Sequence, residues 1–186
     1  MIIGISVNGI LRDTLVKIRE IYEKYEETTI DGDLTYSNLM SKLNFETQED
    51  LYNFLYDESP IEIFGHAMES ETNVINKFNE FVKNQIDNEI IIISDEIGKS
   101  KPATLFFLSK YGTLVSEIFF YNLNSIHKVW EKCDVILTDS NEILKIKPDN
   151  KVVIKKLNTD NNEIISDYIV NNFDEFLNLD LWTKEK

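Results

Sequence analysis

Only one cysteine and two histidines occur in the 186 residues. An intramolecular disulfide is excluded, a Cys/His zinc site has too few ligands, and a reducing compartment suits the chain. Basic residues are scarce as well: 19 Lys and Arg stand against 33 Asp and Glu, a formal net charge of −14. Nucleic acids and anionic membranes are both held through Lys and Arg, and no locally basic patch offsets the imbalance, so no nucleic-acid partner and no membrane partner is expected. No apolar run approaches the roughly 20 residues of a membrane span. The first residues, MIIGISVNGILRD, show neither a basic leader nor an uninterrupted apolar stretch, so a soluble, cytoplasmic protein is expected. Three prolines and six glycines assemble no linker, and there is no repeat or low-complexity tract. Residues 1–186 are therefore read as one domain.

What is present suffices for a core: 42% hydrophobic and 11% aromatic residues exclude wholesale disorder. Short apolar runs at Ile2 to Val7, Ile90 to Ile93, Leu114 to Tyr121, Val135 to Leu137 and Val152 to Ile154 have strand length and are rich in Ile, Val or Phe. Their continuous rather than alternating apolar character suits strands covered on both faces, as in parallel sheets. Helical periodicity lies between them. Leu15, Val16, Ile18, Ile21, Tyr22 and Tyr25 share a face, as do Val74, Ile75, Phe78, Phe81, Val82 and Ile86. A third helix is expected after Pro102, burying Leu105, Phe106 and Leu108 and stopping at Gly112. A last one carries Ile164, Ile165, Tyr168, Ile169, Phe173, Phe176 and Leu177. The pattern predicts an α/β fold, a Rossmann-like three-layer sandwich with a parallel sheet of about five strands. One segment, roughly residues 28–70, has no convincing parallel strand. Thr47 with Asp50 reads as a capping pattern before Leu51 to Tyr56, and Ser59-Pro60 as another helix start, so a small helical cap inserted after the first strand and helix is expected.

Ligands of open α/β sheets bind beyond the carboxyl ends of the strands. There the first strand runs into Ser6-Val7-Asn8-Gly9-Ile10-Leu11-Arg12-Asp13. This resembles the haloacid dehalogenase-like phosphatase superfamily, in particular its nucleotidase-like members, whose first strand leads into Asp-x-Asp-Gly-x-Leu. The strand, the glycine, the leucine and the following helix match; both aspartates are replaced. The resemblance implies that Ser6 stands at the nucleophile position and Asn8 at the acid/base position. A neutral serine without an adjacent base is a poor nucleophile, and an amide cannot protonate a leaving group. The resemblance further implies Ser94 as the phosphate-holding hydroxyl, Lys128 as the neutralising lysine, with Lys99 and Lys101 as alternatives, and Asp139 as what remains of the acidic motif on the fourth strand. Mg²⁺ is usually held by carboxylates together with substrate phosphate, so a site with Asp139 almost alone is expected to bind it weakly at most.

Each of these positions also has a plainer role. Asn8-Gly9 serves any tight turn, and Asp13 suits a helix start. His66 and His127 read as surface or capping residues, Cys133 as an inert, partly buried thiol, and the acidic run Tyr22 to Glu27 as a solvated helix face. Trp130, Tyr111 and Trp182 are the aromatics that would anchor an interface if exposed.

Ser6 and Asn8 together imply a catalytically inactive domain that serves as a structural or protein-interaction module, with protein partners within a large assembly. Richness in Ile, Asn, Lys and Glu often accompanies AT-rich genomes. Tailed bacteriophages encode many nucleotidase-like relatives, so the resemblance extends to a virion component of a connector, neck or tail. The alternatives are a 5′-nucleotidase-like phosphatase with unconventional residues, or a protein that binds phosphate or nucleotide without hydrolysing it.

Overall fold

The apolar run at the N-terminus forms β1 (Ile2–Ser6), a central strand of a six-stranded sheet. The computed structural model describes residues 1–160 and 163–182. β4 (Glu89–Ser94), β5 (Ile118–Phe120), β6 (Val135–Thr138), β7 (Val152–Lys156) and β8 (Tyr168–Val170) complete it in the order β5-β4-β1-β6-β7-β8. Every adjacent pair is parallel. Successive side chains of a strand point to opposite faces, so the continuous apolar runs feed two cores at once. Ile3, Ile5 and Val7 meet α4 (Val74–Asn84), α5 (Ser100–Lys110) and α8 (Phe173–Leu177) through Phe78, Phe107 and Phe176. Ile91, Ile93 and Ile136 face Val129 and Trp130 of α6 (His127–Lys132) and Ile143 of α7 (Asn141–Lys145). The result is the expected Rossmann-like three-layer α/β sandwich.

Three expectations need correction. The sheet has six strands rather than about five, because part of the segment read as a last helix is β8. Tyr168 and Ile169 pair with Ile154 and Lys155 of β7, and Asn172 then starts the short α8 by accepting from the backbone N–H of Glu175. Ile165, expected on that helix's buried face, is 91% exposed. The run from Leu114 yields only the three residues of β5. Leu105 and Phe106 are largely exposed, since α5 buries Ala103, Thr104, Phe107 and Leu108 instead.

The helical segment is larger than residues 28–70. β2 (Arg12–Asp13) pairs antiparallel with β3 (Met68–Glu69), so the chain leaves and returns through one two-stranded stem. Between them lie α1 (Thr14–Tyr25), α2 (Leu39–Lys42), α3 (Gln48–Tyr52) and wider π-helical turns at Asn53–Glu58 and Ile61–Gly65. Ile18, Ile21 and Tyr22 of α1 pack with Leu43, Phe54 and Ile63 in a separate apolar cluster. The first helix thus belongs to this segment and not to the sheet. Asp13 caps it, accepting from the Val16 N–H, and Thr47 caps α3 through the Asp50 N–H.

The watched aromatics are structural. Trp130 is buried and donates to the Ile143 carbonyl at 3.1 Å; Trp182 packs edge-on against Phe81 and Phe176; the Tyr111 hydroxyl donates to the Ala67 carbonyl. His66 is exposed against the Phe106 ring, and His127 is exposed at the start of α6. Cys133 is fully buried, and burial pushes its thiol up to about 12, which keeps it protonated.

Cys133 also explains a glycine in β1. A Cβ on Gly4 would lie 2.7 Å from the Cys133 sulfur. Gly4→Ala is expected to destabilise the protein by roughly 1–3 kcal/mol through overpacking. Urea unfolding checks this, and adding Cys133→Ala should recover most of the loss.

Candidate functional site

Beyond the carboxyl ends of the strands lies a cavity of about 160 Å³. β1 contributes Ser6, the loop after it Asn8, β4 Ile93, the next loop Asp95, and the end of β6 Asp139 and Ser140. Tyr36 and Ser37 close it from the helical segment, Tyr121 from the end of β5, and Asn158 and Asp160 from the loop after β7. The turn depends on Gly9, whose φ is +72° and whose Cβ, if present, would overlap the Asp139 carboxylate.

The two positions at the head of the site are held by neutral side chains. Ser6 Oγ donates to Thr138 Oγ1 at 2.8 Å, a hydroxyl and not a base. Asn8 Oδ1 accepts from Arg12 Nη2 at 2.6 Å, Arg12 Nε at 3.2 Å and Thr14 Oγ1 at 2.5 Å. Its Nδ2 donates to Asp95 Oδ1 at 2.7 Å and Glu96 Oε1 at 3.0 Å. An amide is the group that can face a guanidinium with its oxygen and two carboxylates with its nitrogen.

Of the positions implied by the resemblance, Ser6, Asn8 and Asp139 line the cavity. Ser94 does not. The parallel register sets Ser6 opposite Ile93, so it is Ile93 that shares the Ser6 side of the sheet. The Ser94 hydroxyl is buried without a hydrogen-bond partner among the described residues. Lys128 is exposed on α6, Lys99 pairs at the surface with Asp57, and Lys101 lies over the Phe120 ring. None of the three lysines lines the cavity. The cations nearest its acids are others. Arg12 is fully buried and paired with Glu96; Lys156, at the end of β7, donates to the Gly9 carbonyl at 3.1 Å and pairs with Glu71. Asp95 and Glu96 directly follow the Ile90-to-Ser94 strand, so their place at a strand end was visible in the sequence. Arg12 carried no signal, because its burial depends on residues from four separate segments.

Among the described residues no group of three or more His, Cys, Asp or Glu is placed to hold a metal. Ser6 is turned to Thr138, and Asp139 accepts from Asn158. The cavity is nonetheless acidic. Burial raises Asp95 and Glu96 above the ordinary carboxylate range, with Arg12 opposing in both. Asp139 rises to about 7, chiefly through burial and then through Asp95, with Lys156 and Asn158 pulling it down.

A raised folded value means that Asp139 holds its proton more tightly when folded, so stability falls as pH climbs from its ordinary carboxylate value to about 7 and then levels off. Asp139→Asn is expected to raise the melting temperature above about pH 7 and to change little below about pH 4, checked by thermal melts across that range.

No protein-family model matches the chain, and no curated protein matches it in sequence. Solved structures do match in shape. A haloacid dehalogenase-like family hydrolase from Streptococcus pneumoniae superposes with a TM-score of 0.62 at 12% identity, over 95% of this chain and 96% of that one. A putative haloacid dehalogenase-like hydrolase from Bacteroides fragilis gives 0.62 at 13% identity, over 94% and 98%. A haloacid dehalogenase-superfamily hydrolase of subfamily IA from Geobacter sulfurreducens gives 0.54 at 12% identity, over 95% and 94%. The chain therefore has the fold of the haloacid dehalogenase-like hydrolases.

Proposed function

We propose that this chain is a haloacid dehalogenase-like domain without phosphoryl-transfer chemistry, used as a structural or protein-interaction module within a larger assembly. The observation that carries this reading is the pair at the end of β1. Ser6 donates its hydroxyl proton to Thr138, and Asn8 spends both ends of its amide on Arg12, Thr14, Asp95 and Glu96. Attack on phosphorus needs an anionic or base-activated oxygen, and leaving-group protonation needs a titratable donor. The charge of the cavity supports the same conclusion. A phosphate entering it meets Asp95, Asp139, Glu142 and Asp160, while Arg12 and Lys156 are each engaged with a glutamate. Retained phosphate or nucleotide binding is accordingly the weaker reading. Exposed Leu105 and Phe106 of α5, with Ile61 of the second π-helical turn and Met68 of β3, supply apolar surface for a protein partner. A place in a phage connector, neck or tail is one form such an assembly would take.

Incubation with Mg²⁺ and either an aryl phosphate or nucleoside monophosphates is expected to release phosphate no faster than buffer. Turnover above background that Asp139→Ala abolishes would overturn the proposal. The double variant Ser6→Asp, Asn8→Asp is also expected to stay inactive, since Lys128 lies outside the cavity and the new carboxylate at position 8 faces Asp95 and Glu96.

A further inference from the structure

Arg12 sits in the stem through which the helical segment 14–67 leaves and rejoins the sheet. Its side chain is fully buried. One nitrogen, Nη1, donates to the Phe64 carbonyl in the helical segment and to Thr104 Oγ1 on α5, both at 2.9 Å. Nε donates to Thr14 and Asn8, and Nη2 to Asn8 and Glu96. Its guanidinium carbon lies 5.1 Å from the Phe64 ring centroid and 5.3 Å from that of Phe107, one ring from each side of the junction. A second tie crosses the other rim of the cavity, where the Ser37 N–H and hydroxyl both donate to Asp160.

We infer that Arg12 and Asn8 form a clamp that holds segment 14–67 shut over the strand ends, so that the cavity does not open to bulky ligands. This deepens the non-catalytic reading of the site and rests on it. Swinging the segment away would strip Arg12 of the Phe64 carbonyl and ring while leaving it walled in by Thr104 and Phe107. A buried guanidinium with unmade hydrogen bonds strongly opposes such a motion. Asn8 is the bridge that lets one arginine serve this purpose beside two carboxylates. Its amide donates to Asp95 Oδ1 and Glu96 Oε1 and accepts from Arg12, so each acid gains a donor without drawing the guanidinium out of place. An aspartate at this position would lose both donations and set a third carboxylate within hydrogen-bond reach of the other two. Asn8 is then a structural requirement of the closed state and not simply a catalytic acid that has been lost.

Native-state hydrogen exchange on the full chain tests the clamp independently of turnover, so its failure is separable from any failure of the phosphatase assays. In the unmodified protein, amides of segment 14–67 and of β1, β4 and β6 should share one slow opening. Thr104→Val keeps shape but removes an acceptor from Arg12, and Asn8→Asp removes the bridge. Each should speed exchange in segment 14–67 by about tenfold or more with the sheet amides unchanged. The clamp is refuted if the unmodified segment already opens separately from the sheet, or if both variants speed sheet and segment equally. Thr104→Val keeps the test decisive should Asn8→Asp not fold.

Discussion

Arg12 carries a permanent charge into a region without solvent, and the surroundings are arranged to offset that cost. Glu96 supplies the counter-charge, Phe64 and Phe107 offer ring faces, and oxygens of Asn8, Thr14, Phe64 and Thr104 take up the N–H groups. These partners come from the loop after β1, the helical segment, the loop after β4, and α5. Removing any one of the oxygen partners leaves a desolvated donor or charge behind. Sheet and helical segment are joined by this side chain together with the apolar cluster that reaches Ala103 of α5.

The same interaction bears on the charge of the site. Arg12 is committed to Glu96 and Asn8, while Lys156 pairs with Glu71 and also draws Asp139 down. What faces the cavity is neutral at Ser6 and Asn8 and acidic at Asp95, Asp139, Glu142 and Asp160. An acid-lined site opposes a dianion unless a cation offsets the acids, and this is the electrostatic support for the non-catalytic proposal. Shape similarity to hydrolases at 12–13% identity concerns the scaffold, and function belongs to the side chains placed on it.

Reading from sequence succeeded where a local pattern has a single structural solution. Ile2 to Val7 and Ile90 to Ile93 are too apolar to be anything but strands covered on both faces, and Gly9 marks the turn that Asp139 crowds. It failed where two periods compete. Tyr168-Ile169-Val170 fits a helix face or an edge strand, and only pairing with β7 selects the strand. It failed again for α1, whose amphipathic stripe suits any apolar surface; the stem formed by β2 and β3 assigns it to the helical segment. Lys128 has the place before the fourth strand that the resemblance implies for the neutralising lysine, yet on α6 it is exposed to solvent.

The residues by themselves determined the layered α/β fold, the absence of any disulfide, and the neutrality of Ser6 and Asn8 in a chain of net charge −14. These follow from chemistry that a residue carries wherever it lies. Only the tertiary structure decided what Asn8 and Arg12 do, which cations accompany the acids, and which helix covers the site. Burial and partnership are properties of a position among distant segments: Phe64 and Thr104, 52 and 92 residues from Arg12, meet it only once the chain has folded.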